Sequence, residues 1–181
     1  TLELNEAYVG LRYDSIFSGF EGQNLKYHKE EVMERIFKLD GKLTIKYYPT
    51  KSCTVNTLSA HLKKAMTFGE KINMVIVDYA DIMRDVHKTR EMRHALGNIY
   101  EDLRGMAGEF QIPIWTASQA NRSALDEDVI EASRVAESYA KVMVADFVMS
   151  LSRKIEDKIG NTGRFHVIKN RFGPDGLTYP A

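Results

Sequence analysis

Three polar residues of this sequence follow short apolar runs and could take part in catalysis. They are Glu3, Asp78 and Gln119. In open parallel sheets, ligands bind beyond the carboxyl ends of the strands. An acid placed like Asp78 can hold Mg²⁺ beside a phosphate, an amide like Gln119 can orient water or contact a terminal phosphate, and a carboxylate like Glu3 can act as a general base.

Each of these residues also has a simpler interpretation. Asp78 can cap a turn after a buried strand, which the motif alone slightly favours over metal binding. Gln119 can be an ordinary polar residue at the entrance to a loop, and Glu3 an acid near a chain terminus. The three residues taken singly therefore leave the chemistry open.

Other common catalytic patterns are missing from the sequence. There is no G-x-x-x-x-G-K-S/T loop, so the usual backbone cradle for phosphates is absent and we expect this chain alone to bind nucleotide poorly. The five histidines show no metal-ligand spacing. The single cysteine, Cys53, has no histidine near it in sequence, so we expect a small buried residue rather than a nucleophile.

The elements that would position these residues alternate between strands and helices. Met74–Asp78 is a continuous apolar run ending in an acid, and it predicts a strand buried on both faces. A long charged helix over Thr89–Ala107, with Met92, Leu96, Ile99 and Leu103 inward, precedes a strand over Ile112–Ala117. The remaining predicted elements are a helix carrying Leu11, Ile16 and Phe17 that stops at Gly19 to Gly22, a helix over Tyr27–Leu39, a strand over Leu43–Tyr47, a helix capped by Ser52 or Thr54, a helix over Glu131–Lys141, and strands over Asp146–Leu151, Gly163–Lys169 and Leu177–Tyr179. This order predicts an α/β fold with a mostly parallel sheet, flanking helices and an antiparallel hairpin at the carboxyl-terminal end.

Length and composition set broad limits. The 181 residues indicate one domain. Lys and Arg together number 25, as do Asp and Glu, so any binding to nucleic acid must depend on local patches. One cysteine excludes a disulfide framework, and no apolar run approaches the ~18–20 residues of a membrane span. We therefore expect a soluble, cytoplasmic protein.

Five segments, read in order, give the sequence a family resemblance. Together they resemble the RecA-like motor domain of DnaB-type hexameric replicative helicases, and most of all its phage-encoded branch. The segments are Thr1–Asn5 (like S-L-E-M-S), Met74–Asp81 (like I-V-I-D-Y-L-Q), Ile112–Arg122 (like V-P-V-I-A-L-S-Q-L-N-R), Glu137–Ser138 with Ala145–Val148 (like E-S and A-D-V-V), and Ile168–Pro174 (like A-K-Q-R-N-G-P). The resemblance spans nearly the whole chain.

This resemblance implies a P-loop ATPase core and a role for each matching residue. Asp78 would hold Mg²⁺ and Glu3 would activate the hydrolytic water. Gln119 would sense the γ-phosphate of ATP. Lys169 and Arg171 would reach a neighbouring subunit's nucleotide as a lysine sensor and an arginine finger. Because these two residues alternate along a predicted strand, their side chains lie on one face. An exposed basic edge strand is the alternative, and the attached Gly-Pro turn favours the interface role.

The resemblance also implies partners: single-stranded DNA, a homo-hexamer, and a primase and helicase loader in a bacterial or phage-infected cell. Candidate DNA contacts are Arg84, Lys88 and Arg90 in one loop and Arg122 and Arg134 in another. Bacterial members have D-L-R-E-S-G where this chain has Ala136 and Tyr139 in place of the Arg and Gly, so their DNA contacts do not transfer directly.

The family places its phosphate-binding loop before Glu3. We therefore expect residues 1–181 to be a partial motor domain that lacks the first strand, the P-loop and the following helix. Two alternatives remain at this point. One is another RecA-like ring ATPase, of the recombinase or clock type, and the other is a catalytically inactive RecA-like scaffold.

Overall fold

The computed structural model describes residues 1–120, 129–132 and 139–181. The predicted DNA contacts Arg122 and Arg134 lie outside the described residues, as does most of the helix predicted over Glu131–Lys141. The α-helices are α1 (Glu6–Ser18), α2 (Lys29–Phe37), α3 (Val55–Thr67), α4 (Met92–Phe110), α5 (Ala140–Val144) and α6 (Ile155–Gly160). The strands are β1 (Val75–Val77), β2 (Ile114–Thr116), β3 (Phe147–Ser152), β4 (Arg164–Asn170) and β5 (Thr178–Pro180).

Strands β1 and β2 form a parallel pair joined by α4. Val75 pairs with Ile114 and Val77 with Thr116. The Thr116 hydroxyl ties the ends of the two strands together, because it donates to the Val77 carbonyl (2.9 Å) and accepts from the Ala80 amide (2.9 Å). Both strands therefore end at the same edge, where the residues predicted to do chemistry begin.

Helix α4 packs on this pair through an apolar stripe at helical spacing. Leu96, Ile99, Leu103 and Met106 are buried, as the repeat of three and four residues requires. Met92, which we expected to face inward, is 66% exposed because it lies in the first turn, beyond the reach of the core. The helix ends three residues later than expected, where Gln111 adopts a left-handed conformation (φ 56°).

The carboxyl-terminal strands form an antiparallel sheet in the order β3-β4-β5. Its β4–β5 hairpin turns through Gly176, at φ 72°, a conformation that glycine adopts without steric cost. Trp115 on β2 meets Phe147 on β3 edge to face, with ring centroids 6.0 Å apart. The predicted α/β class, with a parallel sheet and a carboxyl-terminal antiparallel hairpin, is confirmed, and the antiparallel part contains three strands among the described residues.

Local signals placed the start of α3 correctly. Thr54 is its N-cap: the hydroxyl accepts from the Thr57 amide (3.1 Å), and the Thr57 hydroxyl accepts from the Thr54 amide in return. Next to it, Cys53 is 1% exposed, and burial raises the pKa of its thiol. The prediction of a small buried cysteine is confirmed.

Two predictions about the amino-terminal part were wrong. The strand over Leu43–Tyr47 is not formed. The backbone of this segment makes two bonds to Thr1, at the Lys46 carbonyl and the Tyr48 amide, which are too few to make a strand ladder. The apolar residues of α1 at helical spacing, Leu11, Ile16 and Phe17, are 47%, 72% and 48% exposed, so the amphipathic face predicted for this helix is not buried. No helix among the described residues combines the length and the apolar character that crossing a membrane demands.

Candidate active site

The candidate site begins where β1 ends, at Asp78 and Tyr79. The Leu2 amide donates to the Asp78 carbonyl oxygen at 2.8 Å, which brings Glu3 to this edge from 75 positions earlier in the chain. The Asp78 side chain is half-buried, whereas Glu3 is exposed. Two carboxylates are therefore brought to the end of β1. We expected this strand to be buried on both faces, but it buries Val75 and Val77 and leaves Ile76 51% exposed.

Tyr79 lies close to these negative charges, and they affect the pKa of its phenol. Desolvation raises the pKa of its phenol, and the nearby carboxylates Glu3, Asp81 and Asp78 raise it further. The phenol therefore stays protonated in the neutral range. It can act as a hydrogen-bond donor towards these acids or as an acceptor from a neighbouring amide.

Gln119 reaches the same place from the neighbouring strand. Its Nε2 donates to the Tyr79 hydroxyl at 3.2 Å, and its own side chain is exposed. The structure thus brings Glu3, Asp78 and Gln119 together around Tyr79, as expected of residues at the carboxyl ends of adjacent parallel strands. Sequence reasoning passed over Tyr79, although its position directly after Asp78 was a usable signal.

This group of side chains suits the metal-bearing end of a nucleoside triphosphate. A half-buried carboxylate can hold Mg²⁺ through water, because Mg²⁺ keeps several waters and takes few protein ligands. The described residues contain no group of three or more His, Cys, Asp or Glu side chains that could hold a metal ion by themselves. Asp78 and the phosphates would supply the anionic ligands. The backbone cradle for those phosphates does not occur in this sequence.

A polar cluster around the buried Lys141 lies next to the site, and the sequence analysis did not predict it. Lys141 is only 2% exposed, and its ammonium donates to Asp81 Oδ2 (2.7 Å) and to the Ser118 hydroxyl (3.1 Å). The Ser118 hydroxyl donates to Asp81 Oδ2 (3.0 Å), and the Tyr100 hydroxyl donates to Asp81 Oδ1 (2.8 Å). Burial and the Asp81 charge raise the pKa of Tyr100 far above its ordinary value, so it remains a donor. The one available signal was Tyr100, a polar tip on the apolar stripe of α4.

Lys169 and Arg171 lie together in a second place, at the junction of α5 and β3. The Lys169 ammonium donates to the carbonyls of Val142 (3.0 Å) and Met143 (2.8 Å). Arg171 forms an ion pair with Asp146, which also receives Arg104 at 2.9 Å. Desolvation and the neighbouring Arg171 lower the pKa of Lys169. Arg171 lies one residue beyond the end of β4, and the two cations contact one carboxylate and two carbonyls of their own chain.

Of the five predicted DNA contacts, three lie within the described residues. Arg84, Lys88 and Arg90 are exposed in the segment between β1 and α4. Asp85 orders this segment, because its carboxylate accepts from the backbone amides of His87 (3.0 Å) and Thr89 (2.9 Å). The three cations are thus held out to solvent, and their role as DNA contacts stays a prediction.

Comparison with known proteins gives concordant results. The family model described as the DnaB-like helicase C-terminal domain matches residues 15–179. A DnaB-like replicative helicase of Enterobacteria phage T4 is 26% identical over 163 residues, which are 87% of this chain and 32% of that protein. The chain therefore spans about a third of the length of this relative.

Two solved structures share the fold. One, described as an ATPase domain, matches with a TM-score of 0.82 at 18% identity, covering 99% of this chain and 68% of that one. A DnaB-like replicative helicase, described with its interactions with primase, matches with a TM-score of 0.81 at 17% identity, covering 98% of this chain and 46% of that one. Both likenesses establish the RecA-like arrangement of strands and helices.

Proposed function

Because this chain belongs to the DnaB-like helicase C-terminal domain family, we propose that it forms part of an ATP-dependent replicative DNA helicase. In that protein, ATP hydrolysis at the interfaces of a homo-hexameric ring drives movement along single-stranded DNA and separation of the duplex. Primase and a helicase loader are its proposed partners, and its place of work is the cytoplasm of a bacterial or phage-infected cell.

The observation that carries this proposal is the meeting of Glu3, Asp78 and Gln119 at one edge of the sheet. The Leu2–Asp78 backbone bond (2.8 Å) and the Gln119–Tyr79 bond (3.2 Å) join three distant segments there. A turn cap or a polar loop entrance requires no such meeting. The matched family range begins at residue 15, so the assignment of Glu3 depends on this geometry and on its sequence context.

Within the proposed site, each side chain has a distinct task. Asp78 would hold Mg²⁺, which when bound would supply the positive charge that neutralises the phosphates. Glu3 accepts a proton from the water that attacks the γ-phosphate. Gln119 donates its amide to the γ-phosphate and exchanges that contact for Tyr79 when the phosphate has left.

Lys169 and Arg171 act on the nucleotide of the neighbouring subunit. A cation supplied across an interface stabilises the charge that develops on the transferred phosphoryl group, an effect of ~10³–10⁵ in rate. Arg171 is 38% exposed and paired with Asp146, so it can exchange that partner for a phosphate without first leaving a buried site. Hydrolysis then depends on assembly.

The test is a mixing experiment with the full-length product of the gene. Arg171→Ala subunits keep their own site but cannot complete the neighbour's, while Asp78→Ala subunits do the reverse. Each variant alone should lose DNA-stimulated ATP hydrolysis by about 10³-fold, and an equimolar mixture should recover a measurable fraction of it. Arg12→Ala and Asp40→Ala, at exposed positions, are the matched controls. If neither Arg171→Ala nor Asp78→Ala lowers hydrolysis, the assignment is wrong.

A further inference from the structure

Helix α5 carries a buried cation, Lys141, that ties it to the nucleotide edge. Lys141 is 2% exposed and its ammonium is fixed by Asp81 (2.7 Å) and Ser118 (3.1 Å). Asp81 lies three residues after Asp78, and Ser118 directly precedes Gln119. Any displacement of the Gln119 backbone is therefore transmitted to Ser118 and, through the ammonium, to α5.

The next residues of the same helix hold the two cations assigned to the neighbour's nucleotide. The carbonyls of Val142 and Met143 accept from Lys169, and Asp146, two residues beyond the helix, pairs with Arg171. These acceptors lie one, two and five residues after Lys141. Lys141 and these two carbonyls belong to one helical turn, which the backbone bonds from Met143 to Tyr139 (3.2 Å) and from Ala145 to Lys141 (3.1 Å) close, so we expect them to move together.

Packing against the neighbouring helix restricts the movement of α5. Helix α5 lies against α4. A Cβ atom added at Gly97 of α4 would lie 3.7 Å from the Cβ of Ala140, so the two helices are in close contact there. Val142 is buried at 4% exposure. Close-packed interiors shift between discrete arrangements rather than deforming smoothly, so a change at Ser118 is passed on to the acceptors of Lys169 and Arg171.

We propose that α5 is a rigid link, anchored by Lys141, between a subunit's own nucleotide edge and the cations that it offers to its neighbour. This inference rests on the proposed function and adds to it a route by which one site adjusts the next around the ring. Lys141 is then a positioning residue, because it touches neither nucleotide and acts through Asp81, Ser118 and the helix.

The experiment uses the complementing pair of subunits described above, in the full-length protein. Asp78→Ala subunits donate Lys169 and Arg171, and Arg171→Ala subunits supply the working nucleotide site. Lys141→Met is introduced into the donor only, whose own site is already inactive. The link predicts that kcat of the mixture falls by about threefold to thirtyfold, the range of measured couplings, while KM for ATP stays within about twofold because the working site is intact.

A second variant guards against simple misfolding of Lys141→Met. The double variant Asp81→Asn with Lys141→Met removes both charges, so neither residue is left as an unpaired buried ion. Introduced into the donor subunit, it should lower kcat of the mixture as Lys141→Met alone does. Lys141→Arg should restore part of the loss, and Lys64→Met, at an exposed lysine of α3, should be neutral. Ring formation by analytical ultracentrifugation and the thermal midpoint are measured for every mixture.

The outcomes separate the two proposals. Loss of kcat only when Lys141→Met is placed in the working-site subunit would overturn the link and leave the proposed function intact. An equal loss with Lys64→Met, or a loss that follows ring dissociation, would also overturn it. A parent mixture that hydrolyses no ATP would overturn the proposed function and this inference together.

Discussion

The Lys141–Asp81 ion pair offers a sharp test of the structure that requires no nucleotide. The exposed fractions of the two side chains are 2% and 12%. Removing one partner of a buried pair leaves an uncompensated charge, at a cost of about 3–5 kcal/mol. In Lys141→Met, Asp81 keeps the hydroxyl donors Tyr100 and Ser118. We therefore expect this variant to lower the free energy of unfolding by about 3 kcal/mol, the lower end of that range. Asp81→Asn takes from the buried ammonium the carboxylate that lies 2.7 Å away and should also lower the free energy of unfolding.

The double variant carries the decisive information. With both charges gone, neither side chain is a stranded ion, and neutral replacements of buried pairs are often close to neutral in stability. We therefore expect Asp81→Asn with Lys141→Met to be no less stable than either single variant. The interaction energy in the double-mutant cycle should be at least about 3 kcal/mol.

The assay is urea unfolding of the chain at neutral pH, followed by far-UV circular dichroism and by fluorescence. The single tryptophan, Trp115, lies on β2 beside Phe147 and reports on the sheet edge next to the pair. Lys64→Met supplies the cost of the same exchange at an exposed site, which should stay within about 0.5 kcal/mol. Additive single effects, within about 0.5 kcal/mol, would refute the reasoning, since they would mean that the two charges do not share one buried site.

Three further predictions concern other parts of the chain. Thr54→Ala should lower the free energy of unfolding by about 1 kcal/mol, because it removes the N-cap of α3; urea denaturation measures this, and an unchanged midpoint would contradict it. The Cys53 thiol is buried and its pKa is raised, so a thiol-specific reagent at neutral pH should react with the folded chain at least about a hundredfold more slowly than with the chain in urea; equal rates would exclude the buried placement. The hydrogen bond from the Lys154 amide, together with the nearby Arg164, lowers the pKa of Asp157 in the folded chain. The contribution of Asp157 to the free energy of unfolding is therefore complete above its unfolded-state pKa and is lost as the pH falls through its lower folded-state pKa. Asp157→Asn should therefore flatten the acid side of the stability curve below about pH 4, and urea midpoints at pH 3 and 7 that change equally in both proteins would contradict this.

Sequence by itself determined the parts of this protein that follow local rules. The apolar run before Asp78 predicted strand β1, although only Val75 and Val77 are buried and Ile76 is 51% exposed. The spacing in α4 predicted a packed helix, because burial on one face leaves a period in the sequence. The Thr54 cap and the turn before β5 followed from side chains that satisfy or permit a local backbone conformation. The order of five short motifs was enough to identify the family and the RecA-like fold.

The tertiary structure alone decided which distant residues meet. Glu3 reaches Tyr79 through one backbone bond from Leu2 to Asp78, and Lys141 becomes buried because Asp81, 60 residues earlier, compensates its charge. No local period records such pairings, since a lysine is usually exposed and only a specific partner makes its burial tolerable. The strand expected over Leu43–Tyr47 was wrong for a related reason: its pattern was suitable, but no strand among the described residues pairs with it to complete a ladder.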